Sequence, residues 1–423
     1  MVTLGAAGTL VAVTIMIRGY ALSGLAVDRG AIRSWLTGDG LYAYHEPGTL
    51  LGSAISPPGA FALTPLALLP LPVGGWVLAL AGLAALTLAM VALVGPIARR
   101  HGRPAYPIVV VVVLLALATE PVRAALGLGR WDLVLFGLVV ADLIALRRSA
   151  WARSRELWWP RRATSAPRGP LGRVWATGSW AGVGIGLATA LAVSPGLFIL
   201  YLALTRRWRA ALTALGTAAT LAAAALLVAP SETAAWFGEV LWRLDRTGGV
   251  ERIGNQSLAG VLARLYNSAT TPLLLWASFA LLLVAVGFIR ARAAHREGDE
   301  ITAFTLVGVT GAVVGPVTLP NELIWVLPGV LLMVAAGVRE RWAAVRPRPG
   351  LGGRYPGLGW FVAAGAGYLL FLFAPMWTSG DVLVRNAYAI ALIVMVNALP
   401  WSSGAAPAFP IDRWTDKRRS LRT

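Results

Sequence analysis

Cysteine is absent from the 423 residues, histidine occurs three times, and only 13% of residues are charged. Without cysteine there can be no disulfide, no thiolate metal site and no cysteine nucleophile. His45, His101 and His295 are too dispersed to build a metal centre. The chain also lacks a Gly-rich phosphate loop and a zinc motif, so neither a metal nor an organic cofactor is expected. The shortage of charge is the most limiting absence. A soluble domain carries about 25% charged residues. Here 57% of residues are hydrophobic and the mean hydropathy is +0.69. Such a chain finds its solvent in a bilayer rather than in water.

What is present fits an all-α, polytopic membrane protein. Twelve apolar segments can be marked, at 3–26, 73–96, 104–121, 127–146, 178–193, 195–206, 208–229, 271–290, 302–319, 322–338, 357–374 and 385–400. The fifth and sixth meet at Ser194-Pro195 and are read as a hairpin. The first segment has no basic flank at Met1, unlike a signal peptide. Residues 1–400 then form one transmembrane unit, with long outer loops at 27–72 and 230–270. Residues 401–423 form a polar, basic cytoplasmic tail whose composition predicts no fixed structure.

The net charge of +18 follows the membrane and not a nucleic acid. With both termini inside, 27 of the 37 Lys and Arg residues fall in inner segments, nine in outer ones, and Arg18 within the first span. Eleven of the 19 acids are outer. Retained loops carry this Arg bias, so the protein is placed in the plasma membrane with its basic face toward anionic inner-leaflet lipids. The run Arg147–Arg173, with Trp151, Trp158 and Trp159, is a solvated loop or an interfacial anchor.

Polar residues gather on the outer side. The first loop holds Asp28, Arg29, Arg33, Asp39, His45 and Glu46, then Ser56-Pro57-Pro58. A second turn carries Glu120-Pro-Val-Arg123 and Gly129-Arg-Trp-Asp132. The third has Gly254-Asn-Gln-Ser257 with Arg264, and the fourth ends in Asn321-Glu322. Burying such groups at helix ends is costly unless they pair or bind a ligand. A carboxylate beyond the first span, facing arginines from other loops, suits transfer onto a hydroxyl from an anionic lipid carrier. Local readings compete. Asp28 could cap a helix or pair with a neighbouring arginine. Glu120 and Arg123 stand at i and i+3, where a simple ion pair also forms. Asn255-Gln-Ser matches a glycosylation sequon but reads better as a structural polar turn.

These positions resemble the actinobacterial polyprenyl-phosphate-mannose-dependent α-1,2-mannosyltransferases, glycosyltransferase family 87, which are membrane enzymes of the GT-C type. The resemblance runs from about 27 to 340. It is carried by Val27-Asp28, Leu41-Tyr42, Ser56-Pro57-Pro58, Glu120-Pro-Val-Arg123 and Gly129-Arg-Trp-Asp132. Gly186–Pro195, Thr205–Leu212 and Gly254-Asn-Gln-Ser257 with Arg264 continue it. The sequence departs from the family at three places. Ala192 stands for a usual Lys, Ser56 for a Tyr, and Asn321-Glu322 for paired histidines thought to contact donor or acceptor.

The resemblance implies an inverting glycosyltransferase with an outward-facing catalytic cavity. Its donor would be a polyprenyl-phosphate sugar, by default mannose, and its acceptor a glycolipid or cell-envelope glycan. Asp28 is the expected base. Arg123 and Arg264 are expected at the donor phosphate, and Glu120, Asn255, Gln256 and Glu322 at sugar hydroxyls. Two other readings fit the same chain. A degenerate family member acting as a scaffold would explain the missing histidines. A lipid or solute transporter should instead show ionisable groups near mid-membrane and paired broken helices.

The absence of native cysteine makes the topology directly testable. Single cysteines at Pro160, Gly298 and Gly350 are expected to resist impermeant thiol reagents in intact cells, whereas one at Gly248 is expected to react. Labelling at 298 from outside would mean that 178–206 is not a hairpin.

Overall fold

The computed structural model describes residues 2–48, 51–100, 105–158, 169–243, 249–266, 271–344, 356–378 and 380–402. Most of them are helical. In chain order the α-helices are α1 Val2–Tyr20, α2 Ser23–Thr37, α3 Pro57–Leu68, α4 Leu71–Arg100, α5 Ala105–Ala118, α6 Glu120–Gly127 and α7 Asp132–Trp158. The middle of the chain forms α8 Pro170–Thr177, α9 Val183–Leu191, α10 Gly196–Leu204, α11 Trp208–Val228, α12 Pro230–Gly238 and α13 Leu258–Leu265. The last helices are α14 Leu273–Arg296, α15 Glu300–Val314, α16 Val326–Ala344, α17 Leu358–Phe373, α18 Val382–Arg385 and α19 Ala387–Ala398. A 3-10 helix, Pro320–Trp325, leads into α16.

Each of the twelve apolar segments contains one of these helices, but their lengths differ. Among the described residues, four helical stretches, Leu71–Pro96, Trp208–Val228, Leu273–Arg296 and Pro320–Ala343, are long and apolar enough to cross a membrane. Counting each of two bent pairs as one span brings the number to six. Three further apolar helices, α15, α17 and α19, run 10–17 residues. The outer surface is as apolar as a lipid contact requires: Leu227, Leu274, Leu281 and Phe373 are more than 70% exposed. A water-facing surface does not carry apolar patches on that scale.

Three sequence boundaries need correction. The first segment does not run straight to residue 26. It stops at Tyr20, where Ala21 and Leu22 take left-handed backbone angles (φ 54° and 53°), and α2 leaves at 65° to α1. The 27–72 loop is about half helical, built on α2 and α3 with residues 38–56 connecting them. The hairpin at Ser194-Pro195 is built from α9 and α10, nine residues each. Each is about 14 Å long, against about 30 Å of hydrocarbon. Of the predicted tail 401–423, all but Trp401 and Ser402 lies outside the described residues, as does 159–168 of the basic inner run.

The two ends of the bundle are tied differently. At one end Arg207 and His295 share Glu300, which also accepts from the Tyr201 hydroxyl at 3.2 Å. Asp299 caps α15 through Thr302 N–H and accepts from Ser402. The opposite end of α15, about 22 Å away by helix rise, leads through Thr318 to Asn321 and Glu322. Between the ends, the fully buried Asp142 of α7 accepts the Ile185 N–H at 2.6 Å and so caps the start of α9. At the other end of α9, the Ser56 hydroxyl donates to the carbonyls of Ala190 and Leu191 at 2.8 and 3.1 Å.

Asp142 is thus expected to hold the hairpin against α7. Asp142→Leu should cost about 1–3 kcal/mol by leaving a buried N–H unpaired. Asp142→Asn, which still presents an acceptor, should cost less. Melting temperatures of the purified variants in detergent measure both.

Candidate active site

Asp28 sits in the second turn of α2 and is 7% exposed. Its position is set by the break before it. The N–H of Leu22 donates to Gly127 O at 3.1 Å and that of Leu25 to Leu128 O at 2.9 Å. The open first turn of α2 is therefore satisfied by the open last turn of α6. Glycine makes this approach possible. Gly129 has φ +70°, and a Cβ there would fall 2.8 Å from Leu25 Cβ. A Cβ on Gly127 would fall 2.5 Å from the Tyr20 ring.

With α2 docked on the α6–α7 connection, Asp28 meets Arg130. One carboxylate oxygen accepts from the guanidinium at 2.9 Å and the other from the Ser53 hydroxyl at 2.7 Å. Arg130 also stands in the field of Asp132 and Glu322. Asp132 accepts from the Asn321 amide at 2.8 Å. The Glu322 carboxyl group lies within electrostatic reach of Arg130 and Asp132. Three carboxylates from distant parts of the chain thus surround one guanidinium. Among the described residues no group of three His, Asp or Glu side chains is disposed to hold a metal ion.

A second group lies at the other end of α6. Tyr20 donates to both oxygens of Glu120 at 2.8 and 2.9 Å, and Arg123 pairs with Glu120 at 3.1 Å. Arg123 also donates to Leu372 O at 2.9 Å, and its Nε–H is buried without a partner. The i,i+3 ion pair expected as the plain alternative therefore forms, yet it leaves Arg123 about one-third exposed.

The third group is scaffolding. Asn255 donates to Val250 O and Pro316 O and accepts from the N–H groups of Ser257 and Thr318. Gln256 donates to Ile253 O and Arg385 O and accepts from Ala389 N–H. Arg264 commits its fork to Asn386 Oδ1 and to the carbonyls of Arg252 and Asn255. Burial, with Arg385 nearby, draws its pKa down to about 10. Asn255 and Gln256 are almost fully enclosed, and Ser257 caps α13. The sequon is a structural turn, and these side chains hold backbone where sugar contacts were expected. They still bear on the site, because Thr318 fixes the turn that presents Asn321 and Glu322.

The order of these groups along the chain can be matched to known proteins. Residues 56–320, well over half the chain, fit the model of glycosyltransferase family 87. The chain belongs to that family. The family 87 match contains Glu120, Arg123, Arg130, Asp132 and Arg264, while Asp28 precedes it and Glu322 follows it. Over 329 residues the chain is 29% identical to a polyprenol-phosphate-mannose-dependent alpha-(1-2)-phosphatidylinositol mannoside mannosyltransferase of Mycobacterium tuberculosis, covering 74% of this chain and 70% of that one. The enzyme of the same description from Mycolicibacterium smegmatis is 29% identical over 331 residues, covering 73% and 69%. Among solved structures, ArnT from Cupriavidus metallidurans bound to undecaprenyl phosphate is 14% identical with a TM-score of 0.42, covering 94% of this chain and 76% of that one.

The family resemblance drawn from the motifs therefore holds. Sequence reasoning gave roles to Asp28, Glu120, Arg123 and Glu322; it noted Arg130, Asp132 and Asn321 in motifs without pairing them to Asp28, and did not name Ser53. The signal for Arg130 and Asp132 was present: a base and an acid two residues apart after a glycine, at the start of an apolar helix.

Removing Arg130 should leave Asp28 and Asp132 facing each other uncompensated. Arg130→Met is expected to cost about 2–4 kcal/mol, below the ~3–5 of a fully buried pair because the guanidinium keeps some solvent contact. Adding Asp28→Asn should recover part of that loss. Thermal unfolding of the two variants in one detergent reads the difference.

Proposed function

We propose that this family 87 chain transfers mannose from a polyprenyl-phosphate-mannose to a hydroxyl of a glycolipid or envelope glycan at the outer face of the plasma membrane. The observation that carries this reading is the buried Asp28 carboxylate, held by Ser53 and Arg130 beside two more acids. The donor comes from the relatives named for it. The side of the membrane comes from the basic residues: Arg207, Arg290 and Arg296 lie at the end of the bundle remote from Asp28. Twelve crossings with both termini inside accommodate that separation, with α9 and α10 as a short hairpin.

In the reaction, the acceptor oxygen attacks the anomeric carbon on the face opposite the phosphate. The bond from that carbon to the phosphate oxygen breaks, and the electron pair leaves on the polyprenyl phosphate. The hydroxyl proton passes to Asp28. A β-linked donor gives an α-linked product. For Asp28 to take the proton it must loosen from Arg130, and Asp132 and Glu322 are placed to share that guanidinium when it does. Arg123, about one-third exposed, is the cation for the leaving phosphate. Glu120 and Glu322 are the acids available to sugar hydroxyls. Arg264, Asn255 and Gln256 act by holding the loop that supports them.

Asp28→Asn retains an acceptor for Ser53 and Arg130 but loses the base. Transfer from labelled polyprenyl-phosphate-mannose to envelope glycolipids, measured in membranes, should fall by about 10²–10⁴-fold with expression unchanged. Turnover within twofold of wild type would remove Asp28 from the chemistry. Transfer undetectable in wild type with every acceptor would favour a scaffold.

A further inference from the structure

Between α4, α5, α16 and α17 lies a cleft of about 320 Å³, within the size range of ligand pockets. Its walls include Met90, Val112, Leu327, Val330 and Phe361, and its only polar lining residues are Thr119 and Tyr368. Both hydroxyls are spent on helix carbonyls, Thr119 on Ala116 O and Tyr368 on Leu115 O, so the slot offers nothing to a polar ligand. It reaches the lipid-facing surface, since Leu115 and Val334 line it and are themselves exposed. An apolar chain can therefore enter sideways from the bilayer.

One end of the slot is charged. Thr119 is the residue before α6, so the cleft ends where Glu120 and Arg123 begin. Phe371 lines the slot, and the next carbonyl, Leu372 O, accepts from Arg123. Arg123 also lies within electrostatic reach of Tyr368. An apolar slot that ends at a guanidinium about one-third exposed is complementary to one hydrocarbon chain bearing a terminal anion. It is a single slot, which suits one chain better than the two of a phospholipid. From Arg123 the axis of α6 runs about 6 Å to Gly127, and the turn beyond it carries Arg130 to Asp28.

We infer that this cleft receives the isoprenoid chain of the carrier lipid and sets its phosphate on Arg123. The inference rests on the donor proposed for the reaction and adds where that donor lies. Gly365 provides the test. It lines the cleft, and a Cβ built there meets nothing within 4 Å, so a side chain can enter the slot without disturbing the helix. Gly359, on the same helix but outside the cleft, has the same freedom and serves as the control.

Gly365→Phe should raise KM for the long-chain donor about tenfold relative to a short-chain isoprenyl-phosphate-mannose, the loss from about two methylenes no longer buried. Gly359→Phe should leave that ratio at its wild-type value. An unchanged ratio in Gly365→Phe, or an equal loss with both donors in a protein that melts normally, would overturn the assignment. Binding of polyprenyl phosphate alone to purified protein in nanodiscs separates this from a failure of the proposed reaction. If wild type transfers from neither donor, weaker binding to Gly365→Phe than to wild type still upholds the cleft, and equal binding overturns it.

Discussion

Where α1 ends, the chain turns through 65° and the N–H groups of Leu22 and Leu25 go to the carbonyls of Gly127 and Leu128. In a hydrocarbon environment, backbone groups freed by a bend must find partners within the protein. Here one broken helix completes another: the unpaired start of α2 meets the unpaired end of α6. Two non-glycine residues in left-handed geometry are the cost, on the order of 1–2 kcal/mol each. The placement of the charged groups depends on that junction. It brings Asp28 to Arg130, Tyr20 to Glu120, and makes α6 a rigid bar with an acidic site at one end and Arg123 at the other.

The supporting shell runs in one connected line. Asn255 holds Thr318, the turn after α15 presents Asn321, Asn321 bonds Asp132, and Asp132 shares Arg130 with Asp28. Residues with no direct role in the proposed proton transfer thereby position the group around Arg130. This is why Asn255 and Gln256 are buried and fully bonded to backbone. Their amides fix a loop that would otherwise be free to move the 3-10 helix and, with it, two members of the acidic group.

Much of this was legible in the sequence. The low charge and the apolar runs marked a helical membrane chain, and the grouping of acids and arginines between runs marked residues that the fold brings together, Asp28 with Arg130 and Glu120 with Arg123. The bend at Ala21–Leu22 was not legible, because neither residue favours left-handed backbone; only the partner carbonyls on α6, a hundred residues on, make it stable. The Asp28–Arg130 pair was hidden for the same reason, since two charges 102 positions apart carry no local signal. Arg264 and Asn255 misled in the other direction. A polar motif in an outer loop looks like a ligand site, but here its donors are used up on Asn386 and on main-chain oxygens.

The replacement of paired histidines by Asn321-Glu322 can now be given a physical meaning. Asn321 keeps a neutral donor in place and spends it on Asp132. Glu322 adds a third acid beside a single guanidinium. In the proposed reaction, positive charge builds on the sugar ring as the bond to phosphate breaks, as in other glycosyl transfers with an oxocarbenium-like transition state. In that reading the Asp28 carboxylate beside the ring stabilises that state. A cation is then needed on the far side of the sugar, and Arg123 stands there, one helix length away. The departure from the family pattern thus adds an acid and an amide beside Arg130 and leaves the proposed base, Asp28, in place.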